Sequence, residues 1–131
     1  MSYSNANAYR EREVLTASPE KLVVMVYDHV LANLRRARMA IETGSVEQRV
    51  QALGKARDGV MELLVSTDVE RGGDIARNLR ALYGFAFKEL ISVGRNLDTA
   101  QLDKITAIML NLRESFATIA ADPNLARSPA A

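Results

Sequence analysis

The side chains that could carry covalent or metal chemistry are few in this sequence. Nucleophilic catalysis needs a base beside the nucleophile, and the 131 residues include a single histidine, His29, and no cysteine. His29 falls on the same helical face as the apolar Leu22 and Met25, which favours a partly buried, hydrogen-bonded imidazole over a catalytic base. A zinc site would need further His or Cys ligands. We therefore predict no catalytic residue, no metal and no cofactor, and a protein that is not an enzyme.

A pair of glycines is the only hint of a phosphate-binding loop. Gly72-Gly73 precedes a predicted helix, and a helix N-terminus can bind an anion. The carboxylate of Asp74 follows directly and would repel one. The segment is therefore interpreted as a turn with Asp74 as the helix cap.

Arg35, Arg36 and Arg38 form the strongest basic cluster. Phosphate binding would need such residues on one continuous face, and Arg36 lies to the side of the other two. A solvated helix face is the favoured interpretation, and an acidic partner surface is the alternative use.

Composition limits the classes of partner. The net charge is only +1, which gives no whole-chain attraction to nucleic acid or to an anionic membrane. The N-terminal residues are polar and charged, unlike a signal peptide. The apolar run at residues 22–27 is far shorter than the roughly 20 residues that span a bilayer. We expect a cytoplasmic protein without membrane insertion or nucleic-acid binding.

The elements that must position any site are four amphipathic helices, because apolar residues recur with helical rather than alternating period. The predicted helices cover about 18–43, 45–66, 74–95 and 98–120, with Ser18, Ser45 and Asp98 as caps. Short connectors between such helices favour an antiparallel up-down-up-down four-helix bundle, an all-α fold. Residues 1–17 are predicted to be a flexible N-terminal arm and residues 122–131 a disordered tail.

The third predicted helix carries more apolar surface than one helix face needs. Beside its main stripe runs a second line with Tyr83, Phe87 and Ile91. Apolar residues at helical spacing are usually core, whereas contiguous exposed ones mark a partner site. The spacing leaves core and partner groove equally supported.

Two segments of the chain resemble the flagellar secretion chaperone family, FliS. The first is TASPEKLVVMVYD at residues 16–28, preceded by Ala8-Tyr9, and the second is ERGGDIARNLRALY at residues 70–83. The similarity extends from about Tyr9 to Ile119. Gly84-Phe85-Ala86-Phe87 departs from the family pattern. The matching motifs and the second apolar line together provide the candidate client-binding residues Tyr9, Leu22, Met25, Tyr27, Leu79, Leu82, Tyr83 and Phe87.

The resemblance implies a chaperone that binds the disordered C-terminal segment of flagellin, prevents premature polymerisation and assists delivery to the flagellar type III export apparatus. Export gate components would be further partners, and the free protein would be a monomer or weak dimer. The arm around Tyr9 is expected to fold over an apolar groove when no client is bound. The alternative is a structural or adaptor helical bundle that assembles with copies of itself.

Overall fold

A computed structural model describes residues 2–122 and 124, with side chains for all of these except 2–6 and 13. The described residues form helices and no strand, so the predicted all-α class is confirmed. The helices are α1 (Ser2–Thr16), α2 (Pro19–Thr43), α3 (Val46–Ser66), α4 (Val69–Asn96) and α5 (Thr99–Ala121). Of the predicted tail, only Asp122 and Asn124 fall within the described residues.

Helix α2 has the ends that its sequence predicts. The Ser18 hydroxyl accepts a hydrogen bond from the Lys21 amide at 3.2 Å, and Pro19 occupies the first turn, where its missing N–H costs nothing. Gly44 ends the helix in the left-handed conformation, with φ 76°. Such a backbone favours glycine because a side chain would be strained there.

The predicted caps of α3 and α5 are also present. The Ser45 hydroxyl accepts from the Gln48 amide at 3.4 Å, and the Asp98 carboxylate accepts from the Gln101 amide at 3.1 Å. Each cap satisfies one of the amides that a helix start leaves without a partner.

A short helical turn precedes the predicted start of α4. Asp68, not Asp74, caps the helix by accepting from the Arg71 amide at 3.2 Å. The Gly72-Gly73 segment is a kink inside α4, where Gly73 has φ 58° and ψ −134°. The helix begins earlier because Asp68 supplies the capping oxygen, and Gly73 then permits a backbone that other residues avoid. Asp74 contacts the side chain of Arg77 instead.

Residues 2–16 form helix α1, which the sequence does not predict. This segment contains good helix formers but no apolar stripe, so periodicity gives no signal for it. Its described side chains are exposed, including Tyr9 at 70% and Leu15 at 84%. Among the described residues, α1 makes no extended contact with the other helices.

Helices α2 to α5 pack in a ring in which each contacts its neighbours in the chain and α5 returns to α2. Two ion pairs join α2 to α5: Asp28 with Arg113, and Arg38 with Asp103, each at 2.9 Å. From Asp28 to Arg38 along α2, the paired residue on α5 moves back from Arg113 to Asp103. These two helices therefore run antiparallel. Two-residue connectors join the other neighbours, from which we infer the predicted up-down order for them as well.

The core lies between these four helices and is built from aliphatic residues and two tyrosines. Apolar burial is the main stabilising term in such a bundle. Its largest fully buried side chains include Tyr27, Leu34, Leu53, Tyr83, Leu90, Leu102, Ile105 and Met109. Among the described residues, no helix is long and apolar enough to cross a membrane.

Candidate partner-binding site

Two buried tyrosines link opposite helices of the bundle. The hydroxyl groups of Tyr27 on α2 and Tyr83 on α4 share a hydrogen bond, and the two side chains are 0% and 1% exposed. Burial raises the pKa of both phenols, and the hydrogen bond to Tyr83 raises that of Tyr27 further. Both hydroxyls therefore stay protonated in the folded protein, as two buried polar groups that satisfy each other.

Phe116 extends this contact from the core to the surface. Its ring lies on Tyr27 with a centroid distance of 5.6 Å and an interplanar angle of 32°. Phe116 is only partly buried, so one part of its ring packs inside while the rest faces outward. Residues 27, 83 and 116 therefore mark one level of the bundle where α2, α4 and α5 meet.

The main apolar stripe of α4 is buried along only half of its length. After Tyr83 the stripe is covered, at Ala86, Leu90 and Val93. Before Tyr83 the covering is incomplete: Ala76 is buried at 5%, but Ile75 is 69% exposed and Leu79 and Leu82 are partly buried. Residues that are three or four positions apart lie on the same face of a helix. Solvent therefore reaches an apolar surface that continues directly from the core.

Helix α5 shows the same change from buried to partly buried. Its stripe is covered at Leu102, Ile105 and Met109 and partly open at Leu112, Phe116 and Ile119. The Gln101 side chain at the start of α5 donates to Glu89 near the end of α4 at 2.9 Å. The open half of α4 therefore lies at the same end of the bundle as the open half of α5. We call the six residues Ile75, Leu79, Leu82, Leu112, Phe116 and Ile119 the α4/α5 apolar face.

A polar rim lies beside this face. Arg113, one turn before Phe116, donates from Nε to Asp28 of α2 at 2.9 Å. That hydrogen bond and the charge of Asp28 raise the pKa of the Arg113 guanidinium. The pair fixes α5 against α2 one turn from Phe116.

The predicted client-binding residues separate into three groups. Tyr27 and Tyr83 lie in the core, where their side chains are 0% and 1% exposed. Leu79 and Leu82 belong to the α4/α5 apolar face, and Phe87 is partly buried against the core. Leu22 is 37% exposed and Met25 partly buried on α2, and Tyr9 lies on α1.

The α4/α5 apolar face adds Leu112, Phe116 and Ile119, which the motifs do not mark as candidate client-binding residues. All three are partly buried, and Leu112 and Phe116 pack against the core. Their seven-residue repeat with Leu102, Ile105 and Met109 predicts core packing for all six. The two halves of this repeat differ only in how completely the other helices cover them, and the covering is looser at one end of the bundle. His29 also differs from its prediction: it is exposed, with Nε2 3.4 Å from the Asn33 amide nitrogen.

No catalytic arrangement accompanies this face. Among the described residues, no group of three or more His, Cys, Asp or Glu side chains could hold a metal ion. The face consists of aliphatic side chains and one aromatic ring, and the Asp28–Arg113 ion pair lies beside it. Such a surface can bind an apolar partner segment but offers no nucleophile or base.

Comparison with known proteins gives a consistent family. The family model described as Flagellar protein FliS matches residues 2–123. The chain is 32% identical over 110 residues to the Flagellar secretion chaperone FliS of Salmonella typhimurium, covering 83% of this chain and 82% of that relative. It is 28% identical over 120 residues to the protein of the same name from Escherichia coli, covering 91% and 88%. It is also 30% identical over 106 residues to the Flagellar secretion chaperone FliSB of Pseudomonas aeruginosa, covering 81% and 84%.

Proposed function

The chain belongs to the flagellar protein FliS family, and on that premise we propose that it is a flagellar export chaperone for flagellin. It binds the disordered C-terminal segment of flagellin in the cytoplasm and prevents premature polymerisation. It then assists delivery of the subunit to export gate components of the flagellar type III apparatus. Its relatives carry the name flagellar secretion chaperone, a role that needs binding and release but no covalent step.

The α4/α5 apolar face is the observation that carries this proposal. Ile75 is 69% exposed and continues a stripe that is partly buried at Leu79 and Leu82 and buried from Ala86 onward. Contiguous exposed apolar surface marks interaction sites because leaving it in water is costly. A disordered segment that forms a short amphipathic helix can lay its apolar side into such an opening. Phe116, which rests on the core through Tyr27, provides a rigid aromatic anchor for it.

Calorimetry of the full chain with a flagellin C-terminal fragment tests the proposal. We expect Ile75→Ser and Leu79→Ala to weaken binding by about tenfold or more, because burial of one such side chain contributes about 1.5–3 kcal/mol. Val65→Ser is the matched control, since Val65 is 74% exposed on α3 and lies outside the face. The Ile75→Ser variant should keep the thermal midpoint of the parent chain because Ile75 packs little in the bundle.

Two results would count against this function. One is unchanged affinity in Ile75→Ser and Leu79→Ala, which would place the client elsewhere. The other is no heat with any flagellin fragment, together with a concentration-dependent mass in sedimentation. That combination would favour the second candidate, a structural bundle that covers the same face with another copy of itself.

A further inference from the structure

A second surface lies on the opposite side of the bundle, in a groove between α2 and α3. Its volume is about 510 Å³. In the ring of helices, α2 and α3 form one side and α4 and α5 the other. The groove therefore shares no residue with the α4/α5 apolar face. Its lining combines polar and cationic side chains with the apolar Met39 and Ala52.

The charged side chains that line this groove are both cationic. Arg36 comes from α2 and Lys55 from α3, and Gln48 and Gln51 line the wall between them. Within the part of the chain that the structure describes, neither cation belongs to an ion pair. The neighbouring arginines of α2 cannot take the same role. Arg38 is already paired with Glu42 and Asp103, and Arg35 does not line the groove.

A buried amide positions Arg36. Asn33 is 1% exposed, its amide nitrogen donates to the His29 carbonyl at 2.9 Å, and its oxygen accepts from Arg36 at 3.4 Å. Burying an asparagine costs free energy unless its polar atoms are paired. Here the pairing holds one edge of the guanidinium against α2 and leaves its other N–H groups for a ligand.

The spacing of the polar groups matches an extended peptide. From Gln48 to Lys55 the axis of α3 advances roughly 10 Å at about 1.5 Å per residue. An extended chain advances about 3.3 Å per residue, so about three of its residues fit along the polar wall. Glutamine side chains can donate to and accept from a peptide backbone, while Arg36 and Lys55 select carboxylates.

We propose that the α2/α3 groove binds an extended acidic segment of a partner protein. A carboxylate of that segment lies between Arg36 and Lys55, and Gln48 and Gln51 hydrogen-bond its backbone. The groove shares no residue with the α4/α5 apolar face, so, on the proposed function, we expect both surfaces to be occupied at once in a ternary complex. The net charge of +1 gives no long-range attraction to nucleic acid, which makes a protein carboxylate the favoured ligand over a phosphate backbone.

An NMR titration of the full chain tests this inference. The probe is a short blocked peptide of alternating glutamate and serine, and its glutamine counterpart is the control ligand. Amide shifts should concentrate around residues 33–39 and 48–55, and the glutamine peptide should produce few. We expect Arg36→Gln and Lys55→Gln each to weaken binding by about tenfold, the loss of one charge-assisted hydrogen bond. Arg35→Gln, an exposed neighbour outside the groove, should change it by less than about twofold.

The outcomes separate this site from the flagellin site. Binding of the glutamate peptide to Ile75→Ser, and to a chain already loaded with the flagellin fragment, would support two independent surfaces. Equal binding of the glutamine peptide, or equal losses in Arg35→Gln and Arg36→Gln, would overturn the proposal. So would stronger shifts of the same amides with a thymidine oligonucleotide. A failed flagellin titration leaves these peptide results unaffected, because they use a different ligand and different variants.

Discussion

The hydroxyl of Tyr27 on α2 is hydrogen-bonded to that of Tyr83 on α4 across the centre of the bundle. Since α2 and α4 are not neighbours in the ring of helices, this bond joins two elements that otherwise meet only through the core. It also fixes the level at which Phe116 packs, because Phe116 lies on Tyr27. The buried pair therefore holds the floor of the proposed client site in place.

Removing both hydroxyls of this pair should cost less than the two single removals added together. Tyr27→Phe leaves the Tyr83 hydroxyl buried without a partner, and Tyr83→Phe does the reverse. Each single variant should lower the free energy of unfolding by about 1–3 kcal/mol. The double variant should lose clearly less than the sum of the two, since neither polar group remains. Urea unfolding at neutral pH measures all four proteins, and additive losses would show that the hydroxyls do not depend on each other.

The same pair predicts weaker folding at alkaline pH. Burial raises the pKa of both tyrosines above the ordinary value of 10.0. Above pH 10 the unfolded chain releases these protons while the folded chain keeps them, so stability falls as pH rises. The slope is up to about 1.4 kcal/mol per pH unit for each tyrosine. Urea unfolding at increasing pH should show a shallower loss in the Tyr27→Phe, Tyr83→Phe double variant. An identical loss would assign alkaline sensitivity to other groups.

Two glycines of α3 should respond in opposite ways to alanine. A methyl group at Gly59 would lie 2.5 Å from Val30 Cγ2 of α2, whereas one at Gly54 would meet only an Arg57 nitrogen at 3.9 Å. Gly59→Ala should destabilise by about 1–3 kcal/mol, because α2 and α3 must separate. Gly54→Ala should stabilise by about 0.5–1 kcal/mol through helix propensity. Thermal unfolding of both variants checks this, and a stabilised Gly59→Ala would contradict the close approach.

Gly73, at the kink of α4, should also be needed for full stability, because of its backbone conformation. A Cβ at Gly73 would meet nothing within 4 Å, but its φ of 58° disfavours a side chain. Gly73→Ala should therefore lose about 1–3 kcal/mol of stability. Gly84 is the control: it also has open space, lies in regular helix, and should gain up to about 1 kcal/mol as alanine. Equal effects at both positions would mean that the kink is dispensable.

Much of the fold follows from local patterns in the sequence. Ser18, Ser45 and Asp98 cap helices because a short polar side chain before an apolar stripe satisfies free amides, whatever the rest of the chain does. The two glycines predict a turn before residue 74, and Gly73 does leave helical geometry there. The short helical turn that Asp68 caps before this break has no apolar stripe to predict it. Helix α1 was missed because it presents no apolar stripe for periodicity to detect.

The sequence by itself determined the all-α class and, through its two motifs, the family. It could not determine which half of an apolar stripe is covered, because helical spacing is the same for a core residue and for an open groove. Tertiary packing placed Tyr83 inside and Ile75 outside on one helix. It also brought Arg36 and Lys55, from different helices, to the same groove. Such groupings depend on how the helices are rotated and spaced against each other, which no local pattern specifies.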